Sequence, residues 1–294
     1  MKRQSLSILI PTYNGDCRAM VEELCQQASE MEGLDYEVIV ADDGSSDRGK
    51  AELCRQVEQL PCCRFIGREQ NVGRAAIRNF LAQEAKKEWL LFIDCDMTII
   101  SATYVKDYLE AEGSVVYGGY HVGDAPRSCL RYLYEKKEAP NHTAEQRRAR
   151  PYQHFHTANF LVSRDIMLAH PFDERFRHYG YEDVFFGRQL KMASIRIEHI
   201  ENPTGFNSFE TNSSFVGKTE EGLRTLCQFS QELRGYSNVL TFTNGIHLGM
   251  VRGAIRLWHR VFGALERRWL CSNRPSLRVF AAYKLGYFLC LKHP

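Results

Sequence analysis

No secretory signal peptide opens this chain, no apolar run reaches the roughly 18 residues needed to span a bilayer, and no C-x-x-C pair occurs. Export and a transmembrane anchor are therefore not expected, and Met1-Lys2-Arg3-Gln4 leads straight into a strand pattern. The ten cysteines are scattered, with Cys62 and Cys63 adjacent. They are expected to be reduced thiols of a cytoplasmic protein, neither disulfides nor a zinc site. Also missing are a glycine-rich loop after the first strand and any nucleic-acid recognition motif, so nucleic acid is not an expected partner.

Excess charge of either sign is scarce, with 38 Lys and Arg against 36 Asp and Glu for a net of +2, but the balance is unevenly distributed. From residue 246 onward nine Lys and Arg stand against the single acid Glu266, a net +8 that leaves −6 for the rest. That tail is also rich in Leu, Phe, Trp and Tyr. The overall 44% hydrophobic and 25% charged content is that of a globular protein able to bury a large core.

Before the tail, strands alternate with helices. Residues 5–10 read as a strand stopped by Pro11-Thr12-Tyr13-Asn14-Gly15, and residues 20–31 have helical spacing. A second strand, 36–41, ends at Asp42-Asp43-Gly44-Ser45-Ser46-Asp47, with a polar helix to Gln59 and a third strand at 63–66. Asn71-Val72-Gly73-Arg74 begins a helix through Lys86, ahead of the apolar run 89–93. This pattern predicts an α/β fold with a mostly parallel sheet flanked by helices and right-handed crossovers. Ligands of such sheets bind beyond the carboxyl ends of the strands, where Thr12, Asp42, Asp43, Asn71, Asp94 and Asp96 all fall. Side chains alternate along a strand, so Asp94 and Asp96 are expected on one side, needing a cation or donors against their repulsion. A hard divalent ion bridging to a diphosphate would meet that need. A helix-capping Asp94 with a solvated Asp96 is the plainer alternative.

The series Leu6-Ser7-Ile8-Leu9-Ile10-Pro11-Thr12-Tyr13-Asn14, Val38-Ile39-Val40-Ala41-Asp42-Asp43-Gly44-Ser45-Ser46-Asp47, Asn71-Val72-Gly73-Arg74 and Phe92-Ile93-Asp94-Cys95-Asp96 closely resembles the family 2 inverting glycosyltransferases. The resemblance runs in order over roughly the first 210 residues. It implies a GT-A type, Rossmann-like fold. It also implies that Thr12 and Asp43 hold the nucleotide base, with Tyr13, Asn14, Asp42 and Asn71 on the same side of the nucleotide-sugar. Asp94 would meet the ribose or a metal-bound water, and Asp96 a Mn²⁺ or Mg²⁺ on the diphosphate. Arg74 and Arg78 either face the nucleotide or lie on a solvated helix face.

Residues 118–151 turn polar and basic without a firm strand, and read as a surface excursion beside the site. In related enzymes a segment similar to residues 155–164 lies under the donor sugar, which makes Asn159 a candidate amide donor. His154 and His156 have metal-like spacing, although such pairs more often pack and hydrogen-bond. Gly180-Tyr181-Glu182-Asp183 then opens an amphipathic helix. A single acid there is a good cap and dipole partner, whereas the pair resembles the base motif of the galactosyltransferase-like and chondroitin-polymerase-like branch. Inverting transfer needs one carboxylate to take the acceptor's proton while a metal steadies the departing diphosphate. Asp183 is assigned as base and Glu182 to sugar or acceptor hydroxyls, with the exchange of the two left open. His199 is the candidate third metal ligand. Relatives often carry a further His beyond the Asn-Pro, where this chain has Thr204-Gly205-Phe206.

Residues 1–215 are expected to form the transferase domain, 1–100 its nucleotide-binding half and 101–215 its acceptor and base half. Residues 216–294 form a basic helical region, and 246–294 fit helices lying in a membrane interface or packed on the domain or a partner. Processive synthases carry Gln-x-x-Arg-Trp near here. Leu265-Glu266-Arg267-Arg268-Trp269 lacks the Gln, which favours transfer of a single sugar. The expected function is metal-dependent, inverting transfer from a UDP-sugar to a saccharide or lipid-linked saccharide, in bacterial cell-surface polysaccharide assembly at the inner face of the cell membrane. Two other readings stand. One is a degenerate transferase serving as a nucleotide-binding assembly subunit. The other is a sugar-phosphate nucleotidyltransferase, which would need the missing glycine-rich loop with a basic residue on the triphosphate.

Overall fold

In the computed structural model, which describes residues 3–246 and 248–292, short apolar strands alternate with helices from the start. β1 (Ser5–Thr12), β2 (Asp35–Asp42), β3 (Cys63–Gly67) and β4 (Trp89–Ile93) are separated by α1 (Arg18–Ser29), α2 (Arg48–Arg55) and α3 (Arg74–Glu84). The chain continues through β5 (Met97–Ile99), α4 (Tyr104–Glu110), β6 (Val115–Tyr117) and β7 (Tyr120–Val122). After α5 (Leu130–Glu138) and α6 (Ala144–Ala149) come β8 (Asn159–Ser163), α7 (Arg164–Ala169), α8 (Glu182–Met192), β9 (Ile197–His199) and β10 (Thr204–Phe206).

Seven strands form the main sheet in the order β3-β2-β1-β4-β8-β6-β9. All neighbours run parallel except β8, which is antiparallel to both β4 and β6. Leu6, Ile8, Leu9 and Ile10 of β1 are all fully buried, as expected of a parallel strand covered by helices on both faces. Strand order reverses at β1, which pairs with β2 on one side and β4 on the other, and a crevice opens at such a switch point. Phe92 stacks on Phe160 at 4.9 Å and Phe172 on Phe186 at 4.2 Å, tying β4, β8 and α8 into one core. A small sheet, β5-β10-β7, completes this first unit.

Residues 118–151 are not an unstructured excursion. They contain β7, α5 and α6, elements of three to nine residues that are too short for periodicity to reveal. Arg147 is fully buried, donating to the carbonyls of Tyr117 at 3.3 Å, Gly118 at 3.1 Å and Ile200 at 2.8 Å, with its guanidinium over the Tyr117 ring.

The described residues divide into two compact units: Met1–Gly123, Ala139–Arg177 and Glu182–Ser208 in the first, and Asp124–Glu138, His178–Tyr181 and Phe209–Pro294 in the second. The division therefore does not fall after residue 215. The second unit contains α5, α9 (Asn212–Gln228), α10 (Asn238–Gly245), α11 (Gly249–Leu270) and α12 (Leu277–Lys292). It claims α5 because Leu130 packs with Phe215, Leu270 and Phe280, while Asn212 accepts from the Leu130 amide and donates to the Ser128 carbonyl. Glu220 of α9 locks the helices by accepting from Arg267 at 2.8 Å and Tyr283 at 2.7 Å. Among the described residues no helix is long and apolar enough to cross a membrane.

Candidate active site

Three loops leave β1, β2 and β4 at the same sheet edge, and hydrogen bonds knit them together before any ligand is considered. Asp42 folds onto its own loop, accepting from the amide and hydroxyl of Ser45. Asp43 reaches across to the loop ahead of α3, accepting from the amides of Val72 at 3.0 Å and Gly73 at 2.9 Å. Burial pushes the Asp43 carboxyl above its ordinary value, against the pull of those amides. Gly44 has φ +70°, and a Cβ there would lie 2.6 Å from the Gln70 carbonyl carbon, so the approach of the two loops requires glycine. Asn14, itself at φ +52°, accepts from the Asp47 amide at 2.8 Å and donates its own amide to Ser45. Gly15 brings this loop against the next: a Cβ would lie 2.6 Å from the Cys95 sulfur. Thr12 is buried, with its hydroxyl against the Cys54 and Cys95 sulfurs. Tyr13 and Asn71 are exposed at this edge. Asp42, Asp43 and Asn14 thus build the loops, with the side chains of Tyr13 and Asn71 exposed beside them.

Asp94 and Asp96 do not sit on a strand. β4 ends at Ile93, and the next residues form a tight turn closed by the Met97 amide on the Asp94 carbonyl, so alternation along a strand does not govern them. Asp94 instead meets Arg78 at 2.5 Å, while Asp96 is exposed. The reading of Arg78 as part of a solvated helix face fails, since only 1% of its side chain is exposed. Its other terminal nitrogen lies 3.9 Å from Glu182, and Arg74, largely exposed, approaches the same carboxylate at 4.0 Å. A continuous charge sequence, Asp94–Arg78–Glu182, therefore joins the end of β4 to the start of α8.

Glu182 and Asp183 occupy the first turn of α8, where the helix dipole favours acids. Their environments push them apart. Burial, followed by the neighbouring Asp183 charge, raises the Glu182 carboxyl. Burial would raise Asp183 as well, but the hydrogen bond and charge of His156, the Val184 amide and Arg78 outweigh it and hold that carboxyl low. His156 Nδ1 lies 3.0 Å from Asp183, and the Val184 amide 2.7 Å from its other oxygen. Asp183, held low, is thus the acid of the pair better suited to stand ionised and accept a proton. The partnership of His156 with Asp183 was not visible in the sequence. A His two residues from another His on an extended segment signals packing as readily as catalysis.

Two expected roles do not fit. Asn159 is fully buried and its amide is consumed inside the fold, donating to Gly119 O at 2.9 Å and Thr204 Oγ1 at 3.1 Å and accepting from the Tyr108 hydroxyl. His199 is also fully buried, with Nε2 on the Pro151 carbonyl at 2.9 Å and the ring edge-on to Tyr117. Among the described residues no group of three His, Cys, Asp or Glu could hold a metal ion, so Asp94, Asp96 and His199 are not gathered as a trio. Hard carboxylate oxygens on an exposed turn do suit an ion held by one or two acids and completed by substrate phosphate and water. Asp96 and Asp94 fit that arrangement; His199 does not join it. The cysteines form contacts that their spacing did not suggest, Cys17 to Cys54 at 3.5 Å and Cys25 to Cys63 at 3.3 Å.

The chain is 27% identical over 239 residues to the chondroitin synthase of Escherichia coli, an alignment that covers 69% of this chain and 34% of that protein. It is 29% identical over 231 residues to the validoxylamine A glucosyltransferase of Streptomyces hygroscopicus subsp. limoneus, covering 65% and 48%. The chain thus spans a third to a half of the length of these relatives. Among solved structures, S. aureus TarS 1-349 with UDP-GlcNAc superposes with a TM-score of 0.53 at 17% identity over 98% of this chain and 90% of that one. The mannosyltransferase PcManGT of Pyrobaculum calidifontis with GDP-Man and Mn²⁺ gives 0.57 at 14%, over 99% and 86%. These likenesses identify the large, mostly parallel sheet as a GT-A fold. The model of the family described as Glycosyl transferase family 2 matches residues 7–169, more than half of the chain and all three site loops, and the chain belongs to that family.

Proposed function

We propose that this protein transfers one sugar from a nucleotide-sugar, a UDP-sugar, to a saccharide acceptor with inversion. The observation that carries this reading is the charge sequence Asp94–Arg78–Glu182, which links a turn suited to a diphosphate to an acid pair suited to an acceptor hydroxyl. The nucleotide-sugars bound by TarS and PcManGT, and the saccharide chemistry of the relatives, support the same assignment. Tyr13 and Asn71 would line the nucleotide side with Thr12 and Asp43 beneath them. A Mn²⁺ or Mg²⁺ held by Asp96 and Asp94 would, when bound, neutralise charge developing on the diphosphate. Asp183, oriented by His156 and the Val184 amide, takes the proton of the attacking hydroxyl. Glu182 hydrogen-bonds sugar or acceptor hydroxyls, and Arg74 and Arg78 keep its charge compensated. The acceptor is a saccharide carried on a lipid in bacterial cell-surface polysaccharide assembly, at the inner face of the cell membrane.

The test is UDP release from a panel of UDP-sugars with Mn²⁺ or with EDTA, for wild type, Asp96→Ala and Asp183→Asn. Turnover of one donor that is metal-dependent and lost in both variants supports transfer. A second reading, a nucleotide-binding assembly subunit without turnover, is favoured by the engagement of Asp94 with Arg78. It would gain if nucleotide bound but no donor were consumed, even with membrane extract as acceptor source.

A further inference from the structure

We infer that α11 and α12 form a docking surface for an anionic phospholipid bilayer, with a cleft that takes one acyl chain. This deepens the membrane setting proposed above by naming the surface and the lipid class. Met250, Leu257, Trp258, Val261, Leu265 and Trp269 lie along one side of α11, each between 53% and 84% exposed. At 1.5 Å per residue this stripe is about 28 Å long. The opposite side of α11 is already used: Gly263 and Leu270 are buried, and His259 packs against Tyr283 and Tyr287 of α12. A continuous exposed apolar stripe on an otherwise packed helix marks an interaction surface.

Three features select lipid as the occupant. Arg260, Arg268, Arg274 and Arg278 are exposed around the stripe. Glu266, the lone acid from residue 246 onward, is turned inward, accepting from the Trp258 indole at 2.8 Å and facing His259. Four exposed arginines thus stand against one mostly buried carboxylate, which matches anionic headgroups, whereas two copies meeting face to face would bring like charges together. Both indole N–H groups are satisfied within the chain, Trp258 by Glu266 and Trp269 by the Arg274 carbonyl at 2.9 Å. The rings can thus enter hydrocarbon without stranding a donor. Finally, a cleft of about 460 Å³ runs between Phe262 and Trp269 of α11 and Val279 and Ala282 of α12, nearly all apolar, with Arg278 and the indole-bound Glu266 as its two charged lining residues. That combination suits an acyl chain with its phosphate at the arginine.

The experiment is flotation of the full chain with phosphatidylcholine vesicles, with and without phosphatidylglycerol, together with quenching of tryptophan fluorescence by bromine-labelled acyl chains. Binding to the anionic vesicles, quenching there, and weakening by salt are expected. Arg260→Gln and Arg268→Gln should each lower affinity about fivefold. Leu257→Glu/Leu265→Glu should abolish binding while leaving the circular dichroism spectrum unchanged, since both positions are exposed. Equal binding by the Leu257→Glu/Leu265→Glu variant would overturn the inference. So would a vesicle-indifferent chain that light scattering shows to be a dimer split by that same variant, which would make a second copy the occupant. No nucleotide or sugar is needed, so vesicle binding without donor turnover would sink the transfer reading and leave this surface standing.

Discussion

Replacing Arg78 with methionine should destabilise the first unit by about 3–5 kcal/mol, the range for breaking a buried ion pair from one side. The guanidinium lies 2.5 Å from Asp94 and 3.9 Å from Glu182, with 1% of its side chain exposed. At an effective dielectric near 20 the contact with Asp94 alone is worth roughly 7 kcal/mol of attraction, and the desolvation of Arg78 itself, several kcal/mol, offsets part of it. Methionine roughly keeps the volume and removes the charge, leaving Asp94 and buried Glu182 with only the exposed Arg74 near the latter. Against a typical total of about 5–15 kcal/mol, such a loss is a large fraction of the stability. The cycle Arg78→Met, Asp94→Asn and both together separates the pair from its surroundings, and the double variant should be about 1–3 kcal/mol more stable than additivity predicts. The first unit holds one of the chain's three tryptophans, Trp89. Urea titration of each variant in a Trp258→Phe/Trp269→Phe background therefore reports that unit alone. A loss below about 1 kcal/mol for Arg78→Met, the size of an exposed pair, would refute the reasoning, as would strict additivity.

Three further outcomes are expected. His156→Phe removes the hydrogen bond and charge that hold Asp183 low, so the acid limb of the pH–rate profile should move to higher pH, whereas loss of mere packing would lower activity without moving the limb. Arg147→Leu removes one donor from each of three carbonyls, two of which keep a backbone amide, and should cost about 1–3 kcal/mol, read by thermal unfolding. Burial lowers His199 from 6.5 to about 4, so as pH falls the unfolded chain takes up the proton first. The contribution of His199 is then complete above about pH 6.5 and is lost towards pH 4, by up to roughly 3 kcal/mol, and urea midpoints measured across that window should flatten in His199→Gln.

The alternation of β1 to β4 with their helices was legible because each strand carries a short apolar run followed by Pro, Asp or Gly. The pairing direction of β8 was not. Residues 159–163 carry a strand's composition, but nothing in five residues says that both neighbours run the other way. The region 118–151 misled for a related reason. Arg147 and its basic neighbours suggest solvent by type, yet three backbone carbonyls can take a guanidinium's hydrogen bonds in place of water, and the carbonyls that do so belong to residues 117, 118 and 200. The docking of α5 beside α9 likewise depends on Leu130 meeting Phe215, a partner 85 positions away that no local pattern announces.

The acids of the site were legible by type, and their partners were not. Asp94 and Asp96 on a strand would share one side and demand a cation. In a turn that alternation no longer applies, and Asp94 is paired with an arginine 16 residues upstream on a helix whose N-terminus is fixed by Asp43. The same logic reverses the reading of Asn159. An amide near a sugar site looks available until its three hydrogen bonds are counted, after which it can only be part of the frame. It also sorts Glu182 from Asp183, two acids that the sequence could not rank. Burial works against ionisation of both carboxyls. Asp183 also receives a histidine and the Val184 amide, which outweigh burial there, whereas the arginines and the backbone amide at Glu182 do not. Arg78 then bears on both halves of the site at once. Its guanidinium stands 2.5 Å from Asp94 and 3.9 Å from Glu182, so a change in charge at Asp94 is expected to alter how strongly it compensates Glu182.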